Sequence, residues 1–125
     1  SLDLIPDNVV VLNNYSYYLS LREKDLEKAE RMSKQCVELS PNQSTYQDTY
    51  GWVLYKLKRF NEAKEWLKKA VEGDSKSPVI TEHYGDVLYK LNFKKEALEY
   101  WKKAKNSGGD SELLNKKVRE GVLYE

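Results

Sequence analysis

Much of what reaction chemistry or covalent stapling would require is missing from this chain. It has one cysteine, Cys36, so neither an internal disulfide nor a cysteine-built metal cage can form within it. Its one histidine, His83, stands beside Glu82 without the further partners that a metal site or a nucleophile-base-acid triad needs. Gly108-Gly109 lacks the Lys-Ser/Thr that follows a phosphate-binding glycine loop and reads as a linker between helices. With 40% hydrophobic and 33% charged residues, no stretch is apolar enough for a membrane span. Neither sign of charge dominates: 21 basic against 20 acidic residues leave a formal charge of +1, so no overall field recruits nucleic acid or an anionic membrane. No secretory signal or transit peptide is visible at Ser1.

The remaining polar motifs are ordinary helix-surface patterns. Glu62/Glu65 and Glu96/Glu99 have the spacing of carboxylates that pair with lysines on a helix, whereas acid-base work needs burial. The runs Lys56, Lys58, Arg59 and Lys102, Lys103, Lys105 are interleaved with Tyr and Trp, a pattern able to stack on single-stranded nucleic acid but read here as solvated helical faces. No enzyme, cofactor or metal site is expected, and no nucleic acid or membrane partner.

What the chain does have is a repeat. Gly51 and Gly85 lie 34 residues apart, and Tyr50/Tyr84, Leu54/Leu88, Tyr55/Tyr89, Lys56/Lys90, Leu57/Leu91, Ala63/Ala97 and Ala70/Ala104 keep the same step. Allowing one extra residue in a turn, Ser16, Leu19, Ala29 and Cys36 form an earlier copy, in which Cys36 takes the place of a buried alanine. A period of this length fits a helix-turn-helix unit that cannot bury its apolar face alone and stacks on its copies. The spacing predicts helices over about 8–21, 25–38, 43–57, 61–72, 78–91, 95–106 and 111–123. Asn61 is a candidate N-cap, Asn92 a left-handed closing residue, and Ser75 to Pro78 a loop between repeats. Asp110 or Ser111 can cap a last, polar helix carrying Leu113, Leu114, Val118 and Val122. Trp66, Tyr100 and Trp101 lie on or beside the alanine stripe and read as core.

The pattern Gly, apolar three on, Ala twelve on and Ala nineteen on (Gly51, Leu54, Ala63, Ala70; Gly85, Leu88, Ala97, Ala104) resembles the tetratricopeptide repeat. The resemblance covers about residues 8 to 106 and implies an all-α solenoid of about three repeats. We read 1–7 as the tail of a preceding repeat, because Leu4-Ile5-Pro6-Asp7 reads like Leu39-Ser40-Pro41-Asn42. Repeats at 8–41, 42–75 and 76–109 and a capping helix at 110–125 follow, all in one domain. Arg119 stands where a further repeat would place its glycine, which suggests that the array stops there.

Helical spacing sets Tyr50, Leu54 and Leu57 on one face of their helix and Asp48, Trp52 and Tyr55 roughly on the other. Glu82, Asp86 and Tyr89 hold the latter positions in the next repeat, and Asn13, Tyr17 and Ser20 in the first. In tetratricopeptide arrays this face lines a concave groove, so the resemblance implies a groove with aromatic and acidic walls that binds a protein or peptide. Tyr17, Trp52, Tyr55 and Tyr89 are the candidate contacts. Asn13, Asp48, Glu82 and Asp86 beside them suit a basic or mixed segment, through charge-assisted hydrogen bonds and cation-π contact. Two alternatives stand: Trp52 packs between successive repeats, and the carboxylates form a solvated face bordered by Lys56 and Lys90. The clamp of Lys, Asn and Arg with which some members grip a terminal carboxylate does not fit Asn13, Tyr17, Thr49, Val79 and His83, nor does an asparagine ladder fit Asn14, Thr49 and His83. A different reading makes this a structural end segment of a longer superhelix, or a self-association module without a ligand of its own. Asn13-Asn14-Tyr15, Thr49 to Tyr55 and Glu82 to Asp86 resemble C-terminal repeats of longer bacterial proteins, cytoplasmic or periplasmic.

Overall fold

A computed structural model describes residues 8–125. Among them are seven α-helices and no strand: α1 (Val9–Arg22), α2 (Leu26–Leu39), α3 (Ser44–Lys56), α4 (Phe60–Gly73), α5 (Pro78–Lys90), α6 (Lys94–Asn106) and α7 (Glu112–Glu120). The expected tail at 1–7 lies outside the described residues. Asn8, Ser77 and Ser111 each cap a helix by accepting from the amide three residues on, and Pro78 opens α5 with its fixed φ. Asn61 is not a cap. The fourth helix begins at Phe60, after Arg59, which places Asn61 in its first turn. The last helix is shorter than expected: Gly121 closes it in the left-handed conformation, at φ 68°, and Val122 lies beyond it.

The helices pack in pairs, α1 on α2, α3 on α4 and α5 on α6, with α7 against α6, and α1, α3 and α5 also lie side by side. That stacking is the all-α solenoid. The close approach within each pair rests on small residues. A Cβ on Gly51 would sit 2.7 Å from Leu67 Cγ of α4, and one on Gly85 2.6 Å from the Trp101 ring of α6. Ser16, Ala29, Cys36, Ala63, Ala70, Ala97 and Ala104 are all fully buried. Ser16 turns its hydroxyl onto the Leu12 carbonyl at 2.8 Å and so needs no partner in the core.

The extra residue of the first copy falls in the α1–α2 turn. Glu23 and Asp25 are both left-handed there, where Lys58 and Asn92 are single left-handed residues in the two later turns. The apolar core runs mainly from α3 to α7 around Leu54, Leu67, Leu88 and Trp101. Leu12, Leu19, Ala29, Met32 and Cys36 form a smaller cluster under α1 and α2, joined to α3 by Val53. Trp66 meets Tyr50 edge-on and Tyr100 meets Tyr84 in the same way. No helix of the described residues is long and apolar enough to cross a membrane.

Candidate functional site

The face shared by α1, α3 and α5 divides into an open half, an aromatic partition and a half filled by the chain itself. The partition is Trp52. Only 7% exposed, it stacks on Tyr55 with ring centroids 4.3 Å apart and on His83 of α5 at 3.8 Å. This ties α3 to α5, and Trp52 presents little surface to the groove. His83 Nδ1 lies 2.9 Å from Asp48 Oδ1 in a buried contact. Burial alone would lower the imidazole pKa, but the adjoining Asp48 carboxylate, with Asp86 and Glu82 further off, carries it above its ordinary value.

On the N-terminal side of the partition is an open pocket of about 310 Å³ between α1, α3 and the start of α5. Asn13, Tyr17, Asp48 and Asp74 line it, and no Lys or Arg does. Asn13 is buried and its Oδ1 has no hydrogen-bond partner. Burial, with the fields of Asp48 and Glu82, pushes the Tyr17 phenol up to about 12, so it stays neutral and a donor. The pocket therefore presents an aromatic ring and two carboxylates, of which Asp48 already shares one oxygen with His83.

On the other side of the partition the acidic residues are already engaged. Lys117 of α7, 2% exposed, reaches Asp86 Oδ1 at 2.9 Å, Asp86 Oδ2 at 3.1 Å and Glu82 Oε2 at 2.7 Å. Trp101 Nε1 donates to the same Asp86 oxygen at 2.9 Å. Tyr89 is half-buried and stacks on Trp101. Past Gly121 the chain reverses. Leu123 packs on the main core, and the Glu125 carboxylate accepts from Tyr55 Oη at 2.5 Å and forms an ion pair with Lys90 Nζ at 3.2 Å.

Of the eight residues singled out from sequence, Asn13, Tyr17 and Asp48 converge on the open pocket. Trp52 is in the partition, Tyr55 meets Glu125, and Glu82 and Asp86 are bound to Lys117, with Tyr89 behind them. Sequence reasoning missed Lys117 and the Asp48–His83 pair. The partners of each lie 31 to 35 residues apart, about one repeat, so they become neighbours only when successive repeats stack. Among the described residues no group of His, Cys, Asp and Glu could hold a metal ion.

A family model described as tetratricopeptide repeat matches residues 14–115. No curated protein matches the sequence. Among solved structures, the Sgt2 TPR domain from Aspergillus fumigatus superposes with a TM-score of 0.81 at 16% identity, over 90% of this chain and 76% of that one. The TPR2B domain of yeast Sti1, solved as a pHsp70 complex, gives 0.75 at 15% identity, over 89% and 96%. Pseudomonas aeruginosa PilF gives 0.70 at 26% identity, over 91% of this chain, which spans only 56% of PilF.

Proposed function

The chain belongs to the tetratricopeptide repeat family, whose arrays are generally non-catalytic scaffolds for protein-protein interaction, and from that premise we propose that it holds a partner segment in its concave groove. The observation that carries this reading is the open pocket beside Asn13, Tyr17 and Asp48, which Asp48 and Asp74 make acidic and no Lys or Arg lines. A Lys or Arg side chain of the partner suits it best. Its cation would pair with Asp74 and with the Asp48 oxygen that His83 leaves free, and lie against the Tyr17 ring, in a pocket whose lining holds no Lys or Arg. The Sti1 domain, which has the same fold, was solved with an Hsp70 ligand, and that supports a peptide as the partner class. No catalytic role and no cofactor belong to this reading.

A selection of random peptides on the folded protein tests it. Peptides rich in Lys or Arg should be enriched, and Tyr17→Ala and Asp48→Asn should each abolish the enrichment while the far-ultraviolet circular dichroism stays unchanged. Enrichment that survives both substitutions would count against the pocket.

One observation favours a second reading. Val11, Tyr15 and Tyr18 form an exposed apolar stripe on the outer face of α1, in which Tyr15 and Tyr18 stack at 6.4 Å. Such a stripe suits a packed neighbour, either a further repeat or another copy. Sedimentation over a hundredfold range of concentration separates the two cases: growth in mass supports self-association, and a constant monomer removes it.

A further inference from the structure

The segment after α7 lies on the groove as a ligand would. It leaves the helix through the left-handed Gly121, lays Leu123 on the core and returns Glu125 to α3 and α5. There each carboxylate oxygen has its own partner: Tyr55 Oη donates to Oε2 at 2.5 Å, and Lys90 Nζ forms an ion pair with Oε1 at 3.2 Å. Lys56 and Lys58 stand around the same spot, and a cavity of about 190 Å³ remains beside the carboxylate. Without Glu125, three lysines would face a single carboxylate, Glu23, which is held 3.6 Å from Lys56. A buried phenol and a cluster of cations on a binding face call for an anion, and this chain supplies one from itself.

We propose that Tyr55, Lys56 and Lys90 form a carboxylate-binding site at the C-terminal half of the groove, occupied by the chain's own Glu125, which an acidic partner segment must displace in order to bind. The competing ligand has the chemistry of the resident one: an apolar side chain two positions before a Glu or Asp. The site deepens the groove reading by giving it a second, oppositely charged end. A long partner would place a basic residue in the Asn13–Asp48 pocket and an acidic one on Lys90. Tethering gives the resident segment an effective concentration on the order of mM, so short acidic peptides are held off while a partner anchored at both ends is not.

The test uses the whole chain and a blocked peptide, acetyl-Gly-Val-Leu-Tyr-Glu-amide, followed by amide NMR shifts on α3 and α5. Leu123→Ser with Glu125→Gln, both outside any helix, should let the peptide bind at least tenfold more tightly than to the wild type. Adding Lys90→Ala, or replacing the peptide's Glu by Gln, should remove the gain. Equal binding to the wild type and the double variant, or equal binding of the Glu and Gln peptides, overturns the proposal. A second measurement needs no destabilised variant. The interactions with Tyr55 and Lys90 outweigh burial and hold the Glu125 carboxyl below the usual glutamate range. Its carboxyl-carbon titration should therefore have a low midpoint in the wild type and an ordinary one in Lys90→Ala, and an ordinary midpoint in the wild type sinks the idea. None of these readouts involves Tyr17 or Asp48, so failure here and failure of the basic-anchor pocket are separate results.

Discussion

A lysine ammonium with 2% of its residue exposed keeps its charge only if carboxylates replace its lost water, and Lys117 has both oxygens of Asp86 and one of Glu82. Burial pulls its pKa down, yet those carboxylates outweigh it and hold the group above its ordinary value. Removing the cation strands Asp86. Lys117→Met should therefore cost about 3–5 kcal/mol in urea unfolding, and adding Asp86→Asn should restore part of the loss by removing the stranded charge. A double variant no more stable than the single one would contradict this account. Two groups give stability a common direction with pH. Burial raises Asp86 from 3.8 to about 6 against the pull of Lys117, so its contribution is complete below the unfolded value and is lost as pH rises through 6. His83 is also raised, so its contribution is present below 6.5 and is lost as pH climbs through the folded value. Urea midpoints should fall from about pH 4 to about pH 8, and Asp48→Asn should flatten the upper part of that slope. Neither Lys117 nor the Asp48–His83 pair was legible in the sequence. A lysine in a charge-rich helix reads as solvated, and its partners become neighbours only after two repeats have stacked.

At the scale of the element, helix positions were legible because one period governs all of them. Gly51, Gly85 and the alanines fix where paired helices touch, and the three turns follow by arithmetic. The ends were less legible. Arg59 and Phe93, neither a typical capping residue, start α4 and α6 without a side-chain cap, so no residue type announces those starts. The helix ending at Gly121 stops short of Val122 although the apolar spacing would continue. The open pocket was legible as a helix face, while the filled half was not, since nothing in a repeat pattern says that the chain will return to its own groove. The pairwise contacts also predict what a methyl group would do. Gly51→Ala would press on Leu67 Cγ at 2.7 Å and its backbone nitrogen at 3.2 Å, and Gly85→Ala on the Trp101 ring and the Ala97 carbonyl at 3.2 Å. Better helix propensity offers about 1 kcal/mol, and overpacking removes about 1–3 kcal/mol. Each variant should melt lower than the wild type in thermal circular dichroism, with Gly85→Ala the more harmed because an indole cannot shift as a leucine can. Melting unchanged or raised in both would show that the helix pairs have slack.

Over the whole molecule, cohesion is uneven. The core from α3 to α7 is continuous around Trp101, whereas α1 and α2 rest mainly on a smaller cluster that meets it at Val53, Tyr46 and Val37. Repeat arrays open at their weaker end first, because each unit is held only by its neighbours. Native-state hydrogen exchange should find the amides of α1 and α2 opening at lower free energy than those of α3 to α6, and identical opening energies throughout would mean a single cooperative unit. Cys36 lies inside that first pair, fully buried, with its thiol directed at the Val9 carbonyl at 3.7 Å and its pKa pushed up to about 11 by burial. The chain's one sulfhydryl is thus shut away from alkylating agents and oxidants for as long as α1 stays seated on α2. Its rate of modification counts how often the array comes ajar, a clock wound into the fold that needs no label added to read it.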